Sequence, residues 1–176
     1  KGMDRAHVTI RDLLNHSSGL TAHLPLFYDY RGRAEFEDAI CQLPLEYTPR
    51  SQSIYSDLGF MLLGFILSDL SANGDSLNTQ FSNVVKERDW GTIGYRPPPA
   101  WLSHVAPTEH DPWRGRLLSG EVHDENCHAL GGVAGHAGLF ATSEAVGRFA
   151  QDTLRALSGE DTFASTETVN LFQRRS

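Results

Sequence analysis

Tyr55-Ser56-Asp57 opens a long apolar segment, and Leu13-Leu14-Asn15-His16-Ser17-Ser18-Gly19-Leu20 ends 35 residues before Tyr55. These two stretches hold the side chains best suited to chemistry. A phenol of pKa about 10 is a poor base at neutral pH unless nearby cations stabilise its anion. Given such cations, a phenolate at Tyr55 could serve as a base. The plain alternative is a packed tyrosine at a helix entrance. Asp57 can only accept hydrogen bonds, and it also fits a helix-start acid favoured by the dipole. His16 sits where a helix should end, a position that suits a hydrogen-bond organiser better than a base. Ser18 and Gly19 complete that turn as structural residues. Further on, Glu121-Val122-His123-Asp124-Glu125-Asn126 leads into a glycine-rich stretch ending near Phe140. Glycines let backbone approach a ligand closely. His123, His136 and Gly138 are therefore candidates for substrate contact, and a scaffolding role for the loop fits them equally.

The paired motifs resemble the middle of a penicillin-recognising serine hydrolase. That superfamily includes class C β-lactamases, DD-peptidases and related esterases. Its pattern is L-L-x-H-[TS]-S-G-L, then Y-[SA]-N and a hydrophobic helix, matched here through Leu62-Leu63-Gly64. The resemblance covers most of residues 8–157 and is weakest over 74–120. It implies that Tyr55 is the general base of an acyl-transfer reaction and that Asp57 stands in the asparagine position. An asparagine amide both donates and accepts. A carboxylate there would repel an anionic substrate, which leans toward esters or neutral amides. Arg50 departs too, standing where many relatives have glycine after Pro49.

The resemblance also implies a serine in S-x-x-K as nucleophile. The chain has two lysines, Lys1 and Lys86, and no serine has a lysine three positions on. His136-Ala137-Gly138 is the nearest match to a K-T-G or H-[TS]-G strand, but it comes 81 residues after Tyr55, too soon for that element. The expectation is an internal piece of a longer protein, with S-x-x-K before Lys1.

Composition excludes several classes. Net charge is −7 and no run of Lys or Arg occurs, Arg31-Gly32-Arg33 and Arg174-Arg175 being too short, so a nucleic-acid surface is not expected. The apolar run over 58–67 is about half a membrane span. Cys41 and Cys127 lack C-x-x-C spacing and read as free thiols. His123, Asp124, His128 and His136 are chemically suitable zinc ligands, yet no H-E-x-x-H spacing supports a metal site. The glycines lack a G-K-[ST] ending and form no P-loop. No cofactor is expected.

Helices must position these groups. Thr9-Ile10-Arg11-Asp12 has capping-box form, which predicts a helix over 10–16, stopped by Gly19 in the left-handed region. Residues 34–43 place Phe36, Ala39, Ile40 and Leu43 on one face, before Pro44. Residues 56–72 are apolar on nearly every side and predict a buried helix, with Gly59 and Gly64 at close contacts. A helix over 76–88 should turn Leu77, Phe81, Val84 and Val85 inward. Pro97-Pro98-Pro99 excludes helix there. Residues 122–130 read as polar and His-rich, and 131–138 as a tight irregular turn. Thr142 or Ser143 caps an amphipathic helix to 157, with Val146, Phe149, Ala150, Thr153 and Leu154 on one side. A last helix starts near Ser165.

The fold class expected is mainly α, with little sheet: residues 1–176 form the helical lobe of the α/β β-lactamase/transpeptidase-like fold. The function expected is part of a serine hydrolase cleaving a small ester or amide through an acyl-enzyme, the piece alone being inactive and prone to self-association. The alternatives are a non-catalytic binding or scaffold module of the same fold, or a metal-dependent hydrolase. The resemblance implies a bacterial periplasmic or secreted setting, which the residues themselves do not fix.

Overall fold

The structure, a computed structural model, describes residues 5–160 and 162–174. Arg175 of the arginine pair lies outside them. The chain runs through α1 (Ile10–Leu14), α2 (Gly32–Gln42), α3 (Asp57–Asp69), α4 (Leu77–Arg88), β1 (Ile93–Tyr95), β2 (His110–Asp111), β3 (Arg116–Leu117), α5 (Glu125–Ala129), β4 (Leu139–Ala141), α6 (Ser143–Leu157) and α7 (Thr166–Gln173). Helix dominates. β1 pairs antiparallel with β4, and β2 with β3.

Local chemistry sets most boundaries. Thr9 and Asp12 form the reciprocal capping box of α1. Ser56, Ser76, Thr142 and Ser165 each accept an amide hydrogen bond as N-cap of α3, α4, α6 and α7, which satisfies donors the helix cannot. α3 lies at the centre. Leu58, Met61, Leu63 and Phe65 bury against Leu13, Leu20 and Leu26, and against Phe36 and Ile40 of α2.

Several expectations need correction. The first left-handed residue after α1 is His16, at φ 54°; Gly19, at φ 88°, serves a later turn. The triple proline does not exclude helix, because a 3-10 turn spans Pro99–His104 with proline at its start. That position needs no amide hydrogen. The polar stretch over 122–130 holds a helix the sequence did not point to: Asp124 accepts from the Cys127 amide and starts α5. Val84 faces solvent, and so do Leu67 and Leu70 at the end of α3. The apolar stripe of α6 is also outward, with Val146, Phe149 and Leu154 exposed. Trp90 covers only part of it, edge-on to Phe149 at 5.1 Å.

Close packing accounts for Gly64 and not for Gly59. A Cβ on Gly64 would stand 2.9 Å from the Gly135 amide nitrogen, whereas one on Gly59 meets only ordinary contacts. α3 and the glycine-rich loop therefore touch backbone to backbone. That contact brings the loop to the helix that Tyr55 precedes. Cys41 and Cys127 are both free thiols. Among the described residues, no helix is long and apolar enough to cross a membrane.

Candidate active site

The two sequence motifs are stitched together by backbone hydrogen bonds. The Glu46 amide donates to the Gly19 carbonyl, Arg50 to Ser17, Ile54 to His16 and Asp57 to Ala22. Side chains add to the seam. Ser56 Oγ donates to the Thr21 carbonyl at 2.7 Å, and Tyr47 donates to the His16 carbonyl at 3.1 Å. A Cβ at position 19 would collide with the Tyr47 carbonyl, so glycine is required there for space as well as for φ. Ser18 is buried, and its hydroxyl accepts from the Leu20 amide at 3.3 Å.

His16 is the hinge-pin of this seam. Its Nδ1 accepts from the Ser56 amide at 3.1 Å, which places any ring proton of the neutral form on Nε2. Its ring stacks on Phe60 at 4.8 Å and lies 4.7 Å from Tyr55. Burial lowers its pKa, opposed by the charge of Asp57. Through Nδ1 the ring thus ties the turn after α1 to the N-cap of α3.

Tyr55 emerges from this rigid frame with 63% of its surface exposed. Its phenol is raised above the ordinary value of 10.0 by burial first, then by a hydrogen bond to Asp57 and the negative charges of Asp57 and Asp124. These neighbours hold the proton on the phenol. Asp57 has a further partner that sequence reasoning missed. His23 Nδ1 lies 3.1 Å from Asp57 Oδ2. No motif spacing points to His23; the loop after Leu20 delivers it.

The residues of the glycine-rich region divide into two groups. The side chain of His136 is buried, with Nε2 2.9 Å from Asp124 Oδ1, and its Nδ1 has no partner among the described residues. Burial opposes the Asp124 carboxylate, but His136, the Cys127 amide and the charge of His23 outweigh it and lower its pKa. Asp124 thus lies electrostatically between His136 and the Tyr55–Asp57–His23 group. His123 instead points to Glu109, at 2.7 Å. A cavity of about 860 Å3 is lined by residues including Trp101, His123, Asp124, Gly138 and Phe140. Gly138 sits at φ 113°, and a Cβ there would press on Gly132, Cys127 and Tyr95, so internal packing alone demands glycine. The four-residue zinc set does not converge: His128 lies 3.6 Å from Glu121 while His123 and His136 face different carboxylates. Among the described residues, no group of three or more metal-ligating side chains is placed to hold an ion.

Residues 1–175 match the protein family described as Beta-lactamase. The chain belongs to the Beta-lactamase family. A relative in Escherichia coli (strain K12), described as "Putative D-alanyl-D-alanine carboxypeptidase", is 31% identical over 93% of this chain and 42% of its own length. A class C β-lactamase structure superimposes with a TM-score of 0.66 at 17% identity, over 84% of this chain and 38% of that one. A penicillin-binding protein from Bacillus halodurans gives 0.63 at 20%, over 86% and 49%. The fold is thus the helical portion of the β-lactamase fold, and the penicillin-recognising serine hydrolase superfamily is the right one. This Beta-lactamase family chain spans less than half the length of the curated relative it matches.

Proposed function

We propose that this chain is the helical lobe of a serine hydrolase that cleaves an ester or amide, with Tyr55 moving the proton. The observation that carries this reading is the contrast at Tyr55. Backbone on both sides is pinned by hydrogen bonds, yet the residue as a whole is 63% exposed. A tyrosine kept for packing would be buried. A pinned backbone with a free functional group is the arrangement that pre-orients a reactant.

The direction of the phenol pKa says what else the reaction requires. Alone, Tyr55 stays protonated at neutral pH, because its charged neighbours are acidic. To act as a base it needs cations, and the lysines of S-x-x-K and of the K-T-G-type strand are the groups the family resemblance offers. With them, the phenolate takes the serine proton as the serine oxygen attacks the substrate carbonyl. The proton then passes to the leaving amine or alkoxide as its bond to carbon breaks. Water repeats the attack on the acyl-enzyme and regenerates serine and acid. The relative described as a carboxypeptidase supports a peptide amide as the substrate class.

The test is Tyr55→Phe in the full-length gene product, with acylation rate and Tm measured together. Acylation should fall roughly 10²–10⁴-fold with Tm little changed. Acylation at the wild-type rate would remove Tyr55 from the chemistry.

A further inference from the structure

Asp57 is the one acidic residue in the Tyr55 group that would meet substrate directly under the proposed hydrolase reading, and it is not left alone. His23 reaches it from a loop that is itself fixed: the Ser56 hydroxyl donates to the Thr21 carbonyl at 2.7 Å, and the Asp57 amide to the Ala22 carbonyl at 3.0 Å. The next residue is His23, so its backbone is set by the N-terminus of α3. Its Nδ1 then stands 3.1 Å from Oδ2 of a carboxylate whose side chain is 16% exposed. His23 also lies close enough to Asp124 for its charge to help lower that carboxylate.

We infer that His23 is a positioning and specificity residue: it donates through Nδ1–H to Asp57 Oδ2, leaving Oδ1 as the carboxylate oxygen without that partner. An asparagine at position 57 would present one carbonyl oxygen and one donor. A free aspartate presents two equivalent oxygens and an unshared charge. With Oδ2 occupied by His23, the carboxylate has one oxygen committed and its charge partly spread onto the imidazole. The site then accepts a substrate bearing its own carboxylate, which a bare Asp57 would repel. This inference rests on the hydrolase reading for its consequence, but the hydrogen bond itself does not.

The experiment uses the full-length gene product and two substrates, an acyl-D-alanyl-D-alanine peptide and its methyl ester. His23→Ala should raise KM for the free acid about three- to tenfold, the range for a partly exposed pair, with kcat and the ester little affected. His23→Asn places a donor nitrogen where Nδ1 was and should return KM to within about twofold of wild type. In an Asp57→Asn background, His23→Ala should have no effect. Equal losses for acid and ester, failure of asparagine to rescue, or an unchanged penalty in that background would each overturn the inference. A second measurement separates its failure from that of the hydrolase reading. The ring-nitrogen NMR signals of His23 should report the Nδ1–H form in wild type and shift in Asp57→Ala, which leaves no side-chain acceptor. If they do not shift, the hydrogen bond is absent whatever the enzyme does. If they shift but no acyl probe is turned over, the specificity claim falls with the hydrolase reading while the hydrogen bond stands.

Discussion

Arg50 grips Asp12 at two points: Nε donates to Oδ1 at 2.9 Å and Nη2 to Oδ2 at 2.8 Å. Asp12 is almost fully buried and also completes the capping box of α1. Arg50 adopts φ 70° to reach it, a conformation that normally costs a non-glycine residue. The position favours glycine on backbone grounds, and the side chain offsets that cost by joining the segment before α3 to the start of α1. A forked guanidinium suits this two-oxygen contact in a way an ammonium does not.

The first prediction follows from that pair. Arg50's hydrogen bonds, with those from Thr9 and against the effect of burial, hold the Asp12 carboxyl well below the usual carboxylate range. A carboxylate depressed in the folded state contributes stability that is complete above its unfolded pKa of about 3.9 and declines as pH falls toward the folded value. Arg50→Ala should therefore lower Tm by about 2–6 °C near neutral pH. The gap from wild type should narrow between about pH 4 and pH 2. A gap that stays constant down to pH 2 would mean the pair is not what the substitution removed.

Arg50 also shows where sequence reading stops. Its departure from the family glycine is visible in the chain. Its partner is not, because the two lie 38 positions apart and no periodicity links a loop arginine to a helix acid. The same limit hid His23. Helices with a cap and an apolar stripe were legible, down to Thr9 and Thr142 as caps, because those signals are local. α5 was missed: five residues carry no stripe, and only Asp124's cap marks it. The stripe of α6 was legible as a face, but which way a face points depends on its neighbours, and here it points outward.

The contact between α3 and the glycine-rich loop gives the second prediction. A Cβ on Gly135 would overlap the Phe60 carbonyl and stand 3.0 Å from the Gly64 amide. Backbone cannot retreat as a side chain can. Gly135→Ala should cost about 1–3 kcal/mol by overpacking, whereas Gly147→Ala, which meets nothing within 4 Å on α6, should be neutral or stabilising by up to about 1 kcal/mol. Urea titration of the two variants makes the comparison. Equal midpoints would show that the loop is free to move away from α3.

The third prediction concerns the outward stripe of α6. Val146, Phe149 and Leu154 expose apolar surface at helical spacing, and Leu171 and Phe172 of α7 add to the exposed apolar surface. Exposed apolar patches of this kind mark surfaces that associate. The 176-residue chain should self-associate, with light scattering showing mass that rises with concentration. Leu154→Glu should weaken the association, and a clean monomer at high concentration in the unsubstituted chain would refute it.

The last prediction returns to Tyr55. Burial, the hydrogen bond to Asp57 and the charges of Asp57 and Asp124 all push its phenol upward within this chain. A group raised in this way stays protonated until well above the ordinary value, so no phenolate is present at neutral pH to accept a proton. The 176-residue chain should therefore be inactive on nitrocefin and on nitrophenyl esters. Its Tyr55 ring signal, assigned by its loss in Tyr55→Phe, should titrate above 10. Asp57→Asn removes one negative neighbour and should move that titration down. In the full-length gene product, if lysines face the phenol, the same signal should titrate lower still. Should Tyr55 ionise below 10 in the 176-residue chain, the acidic neighbours are not governing it and its need for outside cations disappears. Should its pKa be the same in the longer protein, no cation reaches it there, and the general-base role is lost.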